Sequence, residues 1–112
     1  MRRGERTLRV DLHGHDVLTA VEVAVRRVRE AQENGYGAVE LVHGAADVEE
    51  PVASGRGRIK WELRRLARTG RFDRWADPRR TWPKAGSLIL YPWPNGRSRR
   101  EAWSDEPRRR YR

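Results

Sequence analysis

Among the acidic and histidine side chains of this sequence, Asp11, His13 and His43 are the candidates for acid–base chemistry. Imidazole takes up and releases protons near neutral pH, and a neighbouring carboxylate can orient a histidine or support its charged form. Asp11 and His13 are two residues apart, so in an extended strand they would lie on one face, about 7 Å apart. The spacing therefore predicts a carboxylate–imidazole site, with His43 as a candidate second proton-transfer group.

Two strands and the helix between them must position these residues. Apolar and polar residues alternate over 8–13, which predicts a strand, and Gly14 ends it. Asp16 is suited to cap a helix that runs to about Asn34. A second strand is predicted over 38–42, just before His43. A strand–helix–strand unit of these lengths implies parallel strands, so all three histidines of the sequence would lie at one edge of the sheet.

The remaining elements complete a small α/β fold. We expect a second helix over 59–68, a third strand over 72–76 and a fourth strand over 87–91. Two helices cannot cover both faces of a four-stranded sheet, so the predicted fold is a two-layer α/β sandwich of βαβαββ type, with a mixed sheet. Leu8, Val10 and Leu12 would face the helices. Arg9, Asp11 and His13 would lie on the open face.

The predicted domain spans 8–94, after a basic N-terminal extension over 1–7. The segment 95–112 contains seven Arg and little apolar periodicity, so we expect a disordered Arg-rich tail. The sequence has no Cys, which excludes disulfides, thiolate zinc sites and cysteine nucleophiles. It also has no apolar run of the ~20 residues needed to cross a bilayer. We therefore expect a cytoplasmic monomer without a membrane partner.

Charge is distributed unevenly along the 112 residues. Residues 1–53 contain 7 basic and 10 acidic side chains, whereas residues 54–112 contain 18 basic and 6 acidic side chains. Almost all of the basic residues are Arg, whose guanidinium makes bidentate contacts with phosphate and stacks on bases. The charge distribution indicates a polyanionic partner, most simply DNA or RNA. A solvated Arg-rich surface without a nucleic-acid partner is the alternative interpretation.

Three sequence features together resemble the Smr (small MutS-related) domain. These are the strand end Val10-Asp11-Leu12-His13-Gly14, the dipeptide His43-Gly44 after the second strand, and the glycine-flanked basic helix start over 55–58. The resemblance covers about residues 8–91. It implies a fold similar to the C-terminal domain of bacterial translation initiation factor three, and nicking or endonuclease activity on structured DNA or RNA. It also implies that Asp11 and His13 take part in cleavage.

The second motif departs from the family pattern, because Ala46 stands where the family has a glycine. Alanine resists the backbone torsions and the close phosphate approach that glycine allows. A binding module without catalytic activity is therefore an alternative, and a protein-interaction adaptor is another. His43 has either a structural or a catalytic role. The residues expected to contact nucleic acid are Arg9, Gly14, Gly44, Gly55, Gly57, Arg58, Lys60 and Arg64.

No cofactor is certain from the sequence. Cleavage of RNA can use its 2′-hydroxyl as the nucleophile without a metal, whereas hydrolysis of DNA commonly uses a divalent ion such as Mg or Mn. Asp11, or the acidic residues Asp47, Glu49 and Glu50, would hold such an ion, although their spacing forms no compact metal motif, and the three acidic residues fit a solvated loop better. Among the tryptophans, Trp61 and Trp75 are expected to pack against the core. Trp82, Trp93 and Trp103 are better candidates for stacking on bases.

Overall fold

The computed structural model describes residues 6–45, 47–48 and 57–94. Its first part is the predicted strand–helix–strand unit, formed by β1 (Thr7–Asp11), α1 (Val17–Glu33) and β2 (Ala38–Val42). The two strands are parallel, with Val10 opposite Leu41. This pairing confirms the prediction that the carboxyl ends of both strands lie at one edge of the sheet.

Local interactions fix both ends of α1. The Asp16 carboxylate accepts the backbone N–H of Thr19 at 2.9 Å, as expected of a helix N-cap. At the other end, Gly35 has a φ of 77° and Tyr36 N–H donates to Ala31 O at 2.9 Å. This is the hydrogen bond of a Schellman C-cap, which needs a left-handed residue at the glycine position. The helix therefore begins and ends where the sequence predicts.

The second part of the chain adds α2 (Arg58–Arg68), a short 3-10 helix (Pro78–Arg80), β3 (Trp82–Pro83) and β4 (Ser87–Leu90). The order of the sheet is β1-β2-β4-β3, and β4 is antiparallel to both of its neighbours. The prediction of a mixed four-stranded sheet with two helices is confirmed. Neither helix in this described part of the chain has the length and apolar character to span a membrane.

The predicted third strand over 72–76 is wrong. Phe72 is almost completely buried, and its carbonyl accepts the N–H groups of Trp75 and Ala76 at 2.9 Å, so this segment forms helical turns. Ala76 makes only an isolated bridge to Pro92. The third strand is β3, whose two residues are too few to give a periodic signal. β1 also ends at Asp11, so His13 lies beyond the strand.

Both helices pack against one face of the sheet. Ala20, Ala24 and Val28 of α1 are fully buried, as is Leu63 of α2. On the sheet side, the core consists of Val10, Val39, Leu41, Leu88 and Leu90, together with Leu12 just after β1. Arg9 and Asp11 are exposed on the opposite face, as predicted. The segments 1–5 and 95–112, which include the predicted tail, lie outside the described residues, as do Ala46 and 49–56.

Candidate functional site

The carboxyl end of β1 brings Asp11 and His13 together. Asp11 Oδ1 lies 2.7 Å from His13 Nδ1 and accepts the backbone N–H of His13 at 3.1 Å. The strand-based separation of about 7 Å is therefore wrong for the side chains, because the chain turns at His13 and Gly14 instead of staying extended. The turn places the imidazole directly against the carboxylate.

Both members of this pair are accessible. The side chains of His13 and Asp11 are 71% and 58% exposed. The hydrogen bonds from His13 lower the pKa of Asp11, so Asp11 is a carboxylate at neutral pH. Because Asp11 engages Nδ1, the other ring nitrogen of His13 is left to face a substrate. This is the arrangement of an oriented general base or acid.

Gly44 joins the second motif to the first. Its φ is 76°, a left-handed conformation that favours glycine. A methyl group at this position would lie 3.1 Å from Cβ of His13, closer than ordinary van der Waals contact. Gly14 also has a positive φ, of 86°, but a methyl group there would meet no atom within 4 Å. Gly44 is therefore required both for its own backbone and for the position of His13.

His43 lies inside the protein, with only 5% of its surface exposed. Its Nδ1 accepts the N–H of Ala45 at 3.2 Å, while its Nε2 is buried and has no hydrogen-bond partner among the described residues. Burial, together with the nearby charges of Lys60 and Arg64, lowers the pKa of His43 from 6.5 to about 4. His43 is therefore uncharged at neutral pH and does not share the solvent-facing position of His13.

An open cleft of about 260 Å³ lies at the same edge of the sheet. It is formed by the start of α1, the segment after β2 and the start of α2, and its lining residues are His15, Asp16, Val17, His43, Ala45, Gly57, Arg58, Ile59 and Lys60. Gly57 caps α2 with a φ of 79° and no side-chain hydrogen bond. A helix N-terminus of this kind, with basic residues beside it, suits a phosphate group.

Lys60, one of the residues expected to contact nucleic acid, does not lie on the solvated surface of α2. The residue is 2% exposed, and its ammonium group donates to the carbonyls of Ala45, at 3.2 Å, and Val48. The two carbonyls come from the segment after β2. Lys60 therefore connects that segment to α2. Among the described residues, Arg58 is the exposed cation at this end of the helix.

The other predicted contact residues are distributed over three places. Arg9 is exposed on the open face of the sheet, 3.6 Å from the carboxylate of Glu40. Arg64 donates to Lys84 O at 3.1 Å and stacks over Trp61, so it connects α2 to the turn before β4. Gly57 lines the cleft, and Gly55 lies outside the described residues.

His15 also lines the cleft, although the sequence did not predict it as a site residue. It follows Gly14, and the residue after it is the N-cap of α1. The sequence alone indicates an exposed loop histidine, and His15 is indeed exposed. The parallel strands predict that His15 lies at the same sheet edge as His43, and the start of α2 closes the cleft that both residues line. In the sequence, its position directly before the predicted N-cap Asp16 is the feature that could have indicated a place at this sheet edge.

The described residues contain no group of three or more His, Asp or Glu side chains able to hold a metal ion. Asp11 and His13 provide two neighbouring donors, which is fewer than a protein metal site ordinarily uses. Glu49 and Glu50, which the sequence offered as further ligands, lie outside the described residues. The described site therefore does not form a metal centre by itself.

Comparisons with known proteins identify the fold. No protein-family model matches the chain, and no curated protein matches it. Among solved structures, the Smr domain of Thermus thermophilus MutS2 matches with a TM-score of 0.59 and 20% sequence identity. The match covers 78% of this chain and 99% of that domain. The chain therefore has an Smr-like fold, as its sequence motifs predicted.

Proposed function

We propose that this protein binds DNA or RNA and cleaves phosphodiester bonds at the edge of the sheet where β1 ends. The observation that carries the proposal is the exposed Asp11–His13 pair, with 2.7 Å between Oδ1 and Nδ1. A histidine held by a carboxylate and open to solvent can move a proton to or from a substrate oxygen. The likeness to an Smr domain supports the same assignment through the fold.

Binding would come from the basic part of the chain. Residues 57–94 contain 10 basic and 3 acidic side chains, whereas the segment that carries Asp11 and His13 is slightly acidic. Arg58 is exposed at the cleft, at the N-terminus of α2, where the N-cap Gly57 supplies no side-chain hydrogen bond. We expect this end of α2 to contact a backbone phosphate next to the scissile bond, since both the helix end and the guanidinium favour an anion.

On RNA, the substrate supplies its own nucleophile, so the Asp11–His13 pair needs only to move a proton. His13 would take the proton of the 2′-hydroxyl as this oxygen forms a bond to phosphorus, and the bond from phosphorus to the 5′ oxygen breaks. The departing 5′ oxygen takes a proton from solvent. Asp11 would support the imidazolium that forms on His13. On DNA, which lacks the 2′-hydroxyl, a water molecule would have to be activated instead.

The burial of His43 favours a second candidate function. Acid–base cleavage is most efficient with two accessible proton-transfer groups, and His43 is 5% exposed and uncharged at neutral pH. A domain with the exposed Asp11–His13 pair and a basic surface, but without His43 as a second proton-transfer group, would bind nucleic acid without cutting it. This binding module shares the Arg58 surface with the first candidate and differs only in the role of His13.

One assay separates the two candidates. The purified protein is incubated with labelled single-stranded, duplex and branched DNA and RNA, with and without chelator, beside the variants His13→Ala and His15→Ala. We expect cleavage by the wild type and by His15→Ala, whereas His13→Ala binds normally and cuts at least 100-fold more slowly, the scale of general acid–base catalysis.

Binding by the wild type without cleavage of any substrate would establish the non-catalytic module. Cleavage by His13→Ala at the wild-type rate would show that the nuclease activity does not use this pair. Activity on RNA that survives chelation would support the 2′-hydroxyl route, while loss of activity on chelation would require a bound ion.

A further inference from the structure

The edge strand β3 exposes a large aromatic side chain on the open face of the sheet. Trp82 is 54% exposed and lies opposite Ile89 of β4. The register places Trp82, Ile89, Glu40 and Arg9 in one row across the sheet. Since the helices cover the other face, no described element packs over this tryptophan. An indole in such a position contributes little to the core.

Two cations flank Trp82 on the same face. Side chains alternate along a strand, so Lys84, which directly follows β3, points to the side of Trp82. Arg80 ends the 3-10 helix two residues before Trp82. Lys84 Nζ lies 5.4 Å from the centre of the Trp82 ring. The intervening residues Thr81 and Pro83 line a cleft on the helix side of the strand, which confirms this alternation. We call Arg80, Trp82 and Lys84 the edge strip.

The next position along the strip is also an aromatic–cation pair. Tyr91 directly follows β4, and Arg80 lies at the end of the 3-10 helix beside it. The guanidinium of Arg80 lies 4.2 Å from the centre of the Tyr91 ring. The open face at this edge therefore presents aromatic rings with positive charges beside them, and Arg80, Trp82 and Lys84 are all exposed.

The chemistry of the edge strip fits unpaired nucleobases better than a protein strand. Pro83 lacks the N–H that a strand added to this edge would need. The charge of Lys84 beside it also disfavours pairing with another strand. By contrast, a base can stack on an exposed indole while flanking cations contact the phosphates, which is how sheet surfaces bind single strands.

We propose that the edge strip is a binding site for single-stranded nucleic acid, in which a base stacks on Trp82 and Arg80 and Lys84 contact the phosphates on either side. The proposal rests on the proposed function and adds the substrate class: an unpaired segment beside the site of cleavage. It assigns a separate place for strand recognition, distinct from the Asp11–His13 pair.

The sheet geometry sets the distance between the two places. Trp82 is three strands away from β1, and the row of Asp11, Val42 and Ser87 lies two residues along from the row of Trp82. Strand and residue spacings then give roughly 16 Å between Trp82 and Asp11. A few nucleotides of an unpaired strand would span this distance between the base on Trp82 and the scissile phosphate.

The test compares affinities for a fluorescent 12-nucleotide single strand and for its duplex, using the variants Trp82→Thr and Trp82→Phe. Threonine suits an edge strand, so this variant keeps β3. We expect Trp82→Thr to bind the single strand roughly fivefold or more weakly, the effect of losing one stacked base, with duplex affinity unchanged. Trp82→Phe should retain most of the affinity.

Leu18→Thr is the matched control. It removes the other large exposed apolar side chain of the described residues and should bind as the wild type does.

A second readout follows stacking directly. A 2-aminopurine placed in the single strand should lose fluorescence on binding to the wild type and to Trp82→Phe, but not on binding to Trp82→Thr. Equal single-strand affinity and equal quenching for Trp82→Thr and wild type would overturn the proposal and leave the strip as a protein-contact surface. Failure of the wild type to bind any nucleic acid would instead overturn the proposed function.

Discussion

Asp11 Oδ1 holds His13 from two sides, because it lies 2.7 Å from the ring Nδ1 and 3.1 Å from the backbone nitrogen of the same residue. A carboxylate bound in this way fixes both the turn after β1 and the orientation of the ring. Asp11 therefore acts through His13, and its effect on cleavage should depend on the presence of the imidazole.

A double-mutant cycle tests this dependence. We expect Asp11→Ala to slow cleavage by roughly 10- to 100-fold and His13→Ala by at least 100-fold, since the first loses orientation and the second loses the proton acceptor. The double variant should be no slower than His13→Ala alone. Single-turnover rates at saturating substrate measure all three. Multiplicative losses in the double variant would contradict the coupling.

The two glycines of the site form a matched pair for a second prediction. Gly14→Ala and Gly44→Ala both place alanine at a positive φ, which costs about 1–2 kcal/mol of unfolding free energy. Only at Gly44 does the new methyl group crowd His13, at 3.1 Å from its Cβ. Cleavage by Gly44→Ala should therefore fall by more than tenfold, while Gly14→Ala retains most of its activity.

Urea unfolding and single-turnover cleavage are measured on both variants, at a temperature where both remain folded. Similar losses of stability with unequal losses of activity are the expected outcome. Equal losses of activity would show that the backbone of either turn, and not the contact between Gly44 and His13, limits the reaction.

The elements that the sequence predicted correctly are those with local causes. The N-cap at Asp16 and the C′ glycine at Gly35 fix α1 through interactions within a few residues. The alternating pattern of Val39 and Leu41 identifies β2 in the same way. By contrast, β3 has two residues, one of them Pro83, and is a strand only because β4 pairs with it. A contact between distant segments leaves no periodic trace in the sequence.

In the candidate site, too, the features with local causes were predicted and those that depend on distant contacts were not. The sequence identified Asp11, His13 and Gly44 by type and order, but the hydrogen bond between the first two depends on a turn that strict strand alternation hides. Lys60 looked like one of several surface cations, and only the carbonyls of Ala45 and Val48 explain its burial. The cleft needs α1 and α2 to meet, so it too could not be predicted from spacing.

The buried ammonium of Lys60 leads to a third prediction. In Lys60→Met the apolar stem is kept, but the carbonyls of Ala45 and Val48 lose their donor, which costs about 1–3 kcal/mol. Urea unfolding should show this loss. Arg58→Ala, two residues earlier and exposed, should change the unfolding free energy by less than about 0.5 kcal/mol.

Binding should respond in the opposite way for these two residues. We expect Arg58→Ala to weaken nucleic-acid affinity and to reduce the slope of log affinity against log salt by about 1, as for the loss of one phosphate contact. Lys60→Met, measured under conditions where it is folded, should keep the wild-type slope. A reduced slope in Lys60→Met would mean that Lys60 reaches phosphate after all.

The pKa of His43 gives a prediction for pH. In the folded chain this pKa is about 4, below its ordinary value of 6.5, so the unfolded chain takes up the proton first as pH falls. Stability is therefore full above pH 6.5 and is lost on acidification towards pH 4. Between pH 7 and pH 5 the loss should be about 2 kcal/mol.

His43→Asn isolates this contribution, because asparagine can still accept the N–H of Ala45 but does not titrate. We expect the difference in unfolding free energy between pH 7 and pH 5 to be smaller in His43→Asn than in the wild type by about 2 kcal/mol. An unchanged pH dependence in His43→Asn would show that His43 titrates normally in the folded chain.

Removal of the segment beyond Asn95 tests whether nucleic-acid affinity and cleavage rate depend on different parts of the chain. This segment carries seven Arg and three acidic residues, so its removal lowers the net charge from +9 to +5. Because phosphate contacts dominate affinity, we expect truncation after Asn95 to weaken binding and flatten its salt dependence, while the cleavage rate at saturating substrate stays within about twofold. Truncation after Glu106 removes four of the seven Arg and should give an intermediate affinity. Equal affinities for the full chain and both truncated chains would show that the charges that bind nucleic acid lie before Asn95. A large fall in the cleavage rate at saturating substrate would show that the segment also takes part in the reaction.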